Sequence, residues 1–159
     1  RWTEPYSAFA DSYASLFAEA GDSWDAETAA NVFGGVTPGV EGTAGTFDGV
    51  NQISFVDLGS TSAIAVTTTW YYTSTGVAVE SDGRYNLGYA WDTTGAADAM
   101  DVLNIALHEL GHTLGLNHPN GKPFATSCLT MYAYADFGET AKRSLGDGDI
   151  LGIEAIYGA

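Results

Sequence analysis

His108-Glu109-Leu110-Gly111-His112-Thr113-Leu114-Gly115-Leu116-Asn117-His118 contains all three histidines of this 159-residue chain. Its pattern is H-E-x-x-H-x-x-G-x-x-H. On a helix turning by roughly 100° per residue, positions four apart share a face, so His108 and His112 can offer imidazole nitrogens to one ion. Glu109 lies one step round, near enough to reach a water beside that ion without being a ligand. Gly115 can adopt a positive φ and end the helix sharply. The chain then swings back and brings in His118 as a third ligand. Three neutral nitrogens, with a fourth position left to water, form the donor set of catalytic zinc.

The flanks agree with this reading. The pattern predicts a helix over 99–114, with Asp98 as its N-cap and Asp101 favouring the positive helix end. Leu103, Leu107, Leu110 and Leu114 gather on one side, roughly opposite the histidines. Such a helix packs its leucines on a sheet and shows its histidines to a cleft. Downstream, Pro119-Asn120-Gly121-Lys122-Pro123 reads as irregular. Met131 follows within Cys128-Leu129-Thr130-Met131-Tyr132-Ala133-Tyr134, where a methionine on its own would be core filler.

The eleven-residue string followed by Met131 resembles the metzincin zinc endopeptidases, whose signature is this string and then a Met-turn. The resemblance implies an α+β zincin fold: a twisted mixed β-sheet, an active-site helix, and a small C-terminal subdomain ending in a helix. It implies Zn2+ on His108, His112 and His118, Glu109 as general base, and Gly115 and Met131 as structural support. Tyr132 and Tyr134 become candidates for the substrate pocket. Met131-Tyr132 is similar to the matrixin form, with Ala133 where that branch usually has proline. Trp24-Asp25-Ala26-Glu27-Thr28 and the closing run from Asp147 to Gly158 are similar to matrixins too. Pro119 after His118 is serralysin-like, but the calcium-binding repeats of that branch are absent. The chain is thus most similar to prokaryotic matrixin-like members with some serralysin-like features. Residues 135–145 match the family segment bordering the S1′ pocket, which would place Lys142 and Arg143 there.

Elsewhere the periodicity is plain. Phe9, Tyr13, Leu16 or Phe17, Ala20 and Trp24 recur at helical steps over 7–30. The family's strand before this helix is expected to be short, missing or trimmed. Residues 32–91 read as a sheet, with strands at 53–58 and 63–72 and an antiparallel partner at 77–80 across a turn at 73–76. Ile64, Val66, Thr68 and Trp70 share one face. Asp147 is the expected cap of a last helix whose Ile150, Ile153 and Tyr157 face the core. The whole chain reads as one catalytic domain, with an upper part to about 118 and a lower part over 119–159.

Hydrophobic residues make up 45% of the chain, enough for a core. Twenty acidic residues against five basic ones leave a net charge of −15, which argues against nucleic acid and anionic membrane as partners. Asp82, Asp92, Asp98 and Asp101 fit either a calcium site (Ca2+), as many relatives carry, or a solvated acidic surface; a saline habitat would also favour such a balance. No histidine is left over for a structural zinc. The single cysteine, Cys128, cannot form an intramolecular disulfide and reads as a buried small hydrophobe. No run is long and apolar enough for a membrane span, and none resembles a signal peptide. An exported protein would therefore already have lost its targeting segment and any pro-segment. The expectation is a secreted, monomeric zinc endopeptidase acting on extended polypeptide. The alternative is a zinc-bound interaction or cell-surface module that kept the scaffold and lost turnover.

Overall fold

Asp25 decides where the first helix stops. Its carboxylate turns back to accept the N–H groups of Val32 and Phe33, each at 3.0 Å. Helix α1 therefore covers Ser7–Asp25 and ends short of the expected 30. The computed structural model describes residues 7–38, 43–119 and 126–158. The expected strand before α1 and the irregular stretch 120–123 lie outside them.

The sheet is mixed and three-stranded. β1 (Gln52–Val56) runs parallel to β3 (Ala78–Asn86), and β2 (Ala65–Tyr71) runs antiparallel to it, in the order β1-β3-β2. The β2–β3 hairpin forms around the anticipated turn, where the N–H of Gly76 donates to the carbonyl of Tyr72 at 2.7 Å. β3 is longer than 77–80 because its polar residues hide the alternation. Glu80 and Asp82 are buried, and their carboxylates accept backbone N–H groups from the loop over 43–52. No hydrophobic pattern can announce a strand whose buried positions are acids satisfied by a distant loop. Residues 32–37, expected to open the sheet, have no regular structure.

A short parallel pair, β4 (Trp91–Asp92) with β5 (Met100–Asp101), leads into helix α2 (Val102–Thr113). Because the chain is still extended at Asp101, the cap is Asp101 and not Asp98: Asp101 Oδ1 accepts the N–H of Asn104 at 2.9 Å. Asp98 is exposed. Leu103, Leu107 and Leu110 of α2 and its C-cap Leu114 are buried as expected, but so is every residue from Val102 to Gly111. The helix is the centre of the molecule, packed against α1, the sheet and a 3₁₀ turn at Ala141–Arg143. Trp24 of α1 fixes the α1–α2 contact by donating its indole N–H to the carbonyl of Leu107 at 2.9 Å.

Helix α3 (Asp147–Tyr157) closes the chain. Its cap is Gly146, not Asp147, and the Asp149 carboxylate accepts the Gly146 N–H at 2.9 Å. Ile153 is buried and Ile150 half-buried. Tyr157 is largely exposed and reaches inward only to donate its hydroxyl to the carbonyl of Leu114, 3.2 Å away. Cys128 is exposed rather than buried. Among the described residues no helix is long and apolar enough to cross a membrane.

Candidate metal centre

α2 ends in the turn that the histidine string requires. Gly115 has φ +96°, its N–H donates to the carbonyl of His112, and the N–H of Leu116 donates to that of Gly111, both at 3.0 Å. This pair of bonds is a Schellman closure, which needs a residue in the left-handed region that only glycine enters freely. It reverses the chain and returns His118 to the face carrying His108 and His112.

The three rings converge. His118 Nε2 stands 3.1 Å from Nε2 of His108 and 3.1 Å from Nε2 of His112. The opposite nitrogens are occupied: His108 Nδ1 meets the carbonyl of Thr130 at 2.7 Å and His112 Nδ1 meets that of Leu116 at 2.8 Å. A carbonyl can only accept, so both Nδ1 atoms carry the proton and both Nε2 lone pairs face inward. His118 could donate to only one of them. Lone pairs crowded together call for a cation, and tetrahedral zinc at 2.0–2.1 Å spaces its nitrogen ligands by about 3.3 Å. The cluster therefore fits a zinc site. Burial holds His108 in its neutral form, down to about 3, and also lowers His118. Among the described residues this is the one group of three or more His, Cys, Asp or Glu that could share an ion.

Under the cluster lies Met131, 3% exposed. A Cβ at Gly111 would stand 2.3 Å from Met131 Sδ and 2.9 Å from Trp24 Cζ2. Gly111 occupies a position that the motif leaves unspecified, and the sequence reading gave it no role. The Met131 turn is held by Asp149, whose carboxylate accepts the N–H of Thr130 at 2.7 Å and of Met131 at 3.1 Å. Since Thr130 also receives the proton of His108 Nδ1, α3 is tied to a candidate ligand through one residue. Asp149 was legible only as part of the closing string.

Glu109 is 5% exposed. Its Oε2 accepts from the hydroxyl of Thr67 on β2 at 2.6 Å. Burial raises its carboxyl above the ordinary value, while the Thr67 hydrogen bond and the nearby His112 pull it back. Nothing in the spacing of the sequence announced Thr67, because it lies on the β2 face opposite Thr68 and Trp70, which were read as the organised side.

The two pocket candidates are near. Tyr132 and Tyr134 line one continuous depression with the three histidines and Glu109, and their rings meet edge-on at 5.6 Å. Of the basic pair in 135–145, Lys142 lines that depression, its Nζ 5.7 Å from the centre of the Tyr132 ring, and Arg143 does not. Lys142 is 2% exposed, with Nζ donating to the carbonyl of Tyr134 at 2.8 Å and paired with Glu139. Arg143 forks onto Asp101 and donates to the carbonyl of Thr93 at 2.7 Å. The Arg143 charge ties the loop to the body of the molecule, whereas the Lys142 charge braces the loop internally and only its main-chain N–H reaches α2, donating to Asn104 Oδ1 at 2.7 Å.

Among the described residues no three of the four aspartates weighed for calcium could share an ion, although Asp92 and Asp101 are partners in the β4–β5 pair. Asp82 is fully buried on β3 and accepts from Gly45 and Gln52. Asp101 caps α2 and holds Arg143. Asp92 is pulled down to about 2 by the N–H groups of Ala96 and Thr94 and the Thr94 hydroxyl. Asp98 is exposed and apart from them in role.

Comparison with known proteins agrees with the geometry. The matrixin peptidase family profile matches residues 36–158. Human neutrophil collagenase is 37% identical over 83 residues, 52% of this chain and 16% of its own length. Matrix metalloproteinase-2 of Drosophila melanogaster is 35% identical over 80 residues, 48% of this chain and 10% of its own. Horse (Equus caballus) stromelysin-1 is 31% identical over 83 residues, 52% of this chain and 16% of its own. The match thus spans a small part of each of these relatives. With the family profile covering most of the chain and a three-histidine cluster that fits zinc at its centre, the protein belongs to the matrixin family of zinc metalloendopeptidases.

Proposed function

We propose that this chain cuts extended polypeptides, with His108, His112 and His118 holding the zinc and Glu109 acting as general base. The observation that carries the reading is the convergence of three imidazole Nε2 atoms, with the Nδ1 atoms of His108 and His112 tied to carbonyls. Zinc held there would act as a Lewis acid toward the scissile carbonyl and the attacking water. Glu109 would take the proton from that water and pass it to the leaving amine. Burial raises the Glu109 carboxyl above its ordinary value, the direction that makes it a stronger base. Met131 and Gly111 keep the ligands from shifting, and Gly115 keeps His118 in reach.

The substrate class follows from the sheet. β2 is an edge strand among the described residues, and Ala65, Val66, Thr67 and Thr69 line the same depression as the histidines. A peptide adding to that edge is bound through main-chain hydrogen bonds that any sequence can make, while Tyr132 and Tyr134 supply side-chain contacts. The acidic charge and the family favour a monomer acting outside the cell.

The test measures metal content beside cleavage of a fluorogenic peptide. Glu109→Ala should keep stoichiometric zinc and its fold and lose activity by about 10²–10⁴. His118→Ala should lose zinc as well, since no spare histidine exists. Parental turnover by Glu109→Ala would refute the mechanism even with zinc in place.

A further inference from the structure

A glutamate side chain has three torsions, and a buried one needs a partner to choose among its rotamers. Glu109 finds its partner on the sheet. Thr67 Oγ1 lies 2.6 Å from Glu109 Oε2 and 3.2 Å from the Glu109 main-chain oxygen. A hydroxyl has one proton, and the carboxylate contact, shorter and charge-assisted, takes it. Thr67 is itself set by register, paired with Gly83 of β3.

The surroundings are built for this contact. Thr69 Oγ1 meets Ser81 Oγ at 3.0 Å, Ser81 Oγ donates to Thr113 Oγ1 at 3.1 Å, and Thr113 Oγ1 donates to the Glu109 carbonyl at 3.4 Å. Further along, the sheet–helix interface is apolar, built from Phe55, Tyr85, Ile105 and their neighbours. The connected hydroxyls of Thr69, Ser81 and Thr113 run beside Glu109. Resting on the reading of Glu109 as general base, we infer that Thr67 is a positioning residue for hydrolysis: it holds Oε2 and leaves Oε1 to receive the proton of the attacking water.

Thr67→Val keeps the β-branched shape and removes the hydroxyl. It should leave zinc content and KM unchanged and lower kcat roughly tenfold, the scale of one hydrogen bond to a charged group. Thr67→Ser restores the hydroxyl and should recover most of the kcat. A readout free of turnover is the melting temperature of the full chain in a double-mutant cycle with Glu109→Ala. Thr67→Val should lower it by a few degrees in the parental background and by clearly less once Glu109 is gone. Should Thr67→Val not fold, Thr67→Ala is read by the same split. Parental kcat in Thr67→Val, equal losses in the serine and valine variants, or additive melts would each overturn the inference. If Glu109→Ala is inactive while Thr67→Val is normal, the general base stands and only Thr67 is dismissed. Activity in Glu109→Ala removes both.

Discussion

Among the regions where this protein buries carboxylates, two bond them in different ways. Where the loop over 43–52 meets β3, the buried Glu80 and Asp82 are surrounded by donors, and so is the exposed Asp48 of the loop itself. Asp48 accepts from Thr43, Val50 and Gln52; Glu80 accepts from the N–H groups of Asp48 and Gly49; Asp82 accepts from those of Gly45 and Gln52. At the metal centre Glu109 has one hydroxyl on Oε2 and no backbone N–H among its bonds. The saturated carboxylates act as staples, each replacing water with amides. The sparsely bonded one keeps an oxygen available. Amide donors favour the ionised form, and at Asp82 those of Gly45 and Gln52 offset part of the burial that raises its carboxyl. Burial raises Glu109 too, but there the offset comes from the Thr67 hydroxyl and the nearby His112 and not from amides.

The histidine beside it sharpens the contrast and carries the largest expected effect. His108 lies well below its ordinary value, at about 3, because it is buried. Its folded form therefore binds fewer protons than the unfolded chain between roughly pH 6.5 and 3, and metal-free protein should lose stability as pH falls through that window. The full contribution is on the order of 4 kcal/mol. Glu109 and Asp82, held above their ordinary values by burial, act with the opposite sign. The comparison is therefore made between the parental chain and His108→Asn, by denaturant unfolding from pH 7 to pH 4. Parallel curves would show that His108 is not dehydrated as described.

Next in size is the loop. Glu80→Ala would strand the N–H groups of Asp48 and Gly49 beside Asp82, at a cost of about 3 kcal/mol in stability. At a temperature where the variant is folded, kcat/KM should stay within about twofold of parental, since no contact to the centre is removed. A large kcat loss would mean that the loop is part of the machinery, and the division between stapling and chemistry would fail.

The smallest effect tests the tie that runs from Asp149 of α3 through Thr130 to His108. Asp149→Asn keeps one acceptor oxygen for the Thr130 and Met131 amides and places an amide where the other acceptor stood, for about 2 kcal/mol of stability. Because Thr130 orients His108, zinc should also be released faster to a chelator. Unchanged zinc release would confine Asp149 to a structural tie.

Much of the site was written in one eleven-residue string. Spacing along a helix is local geometry, so His108 and His112 share a face whatever the rest of the chain does, and Gly115 ends the helix by its own backbone freedom. The β2–β3 hairpin and the buried leucines of α2 followed from local periodicity in the same way. The boundaries that moved were those set by distant groups. Asp25 stopped α1 by reaching Val32 and Phe33, and the β4–β5 pairing moved the α2 cap from Asp98 to Asp101. Lys142 and Arg143, placed by the resemblance at the border of the S1′ pocket, are paired with Glu139 and Asp101, partners that no local pattern named. Thr67, Gly111 and Asp149 had no signature, since their importance lies in what faces them from other elements: a glutamate, a methionine under the ligands, and two amides of a turn. The sequence by itself determined which atoms would seek a metal, because that needs only the chemistry of imidazole and the pitch of a helix. Only the tertiary structure decided which oxygen of Glu109 stays free, because a hydrogen bond across 42 residues exists only when the sheet and the helix are packed together.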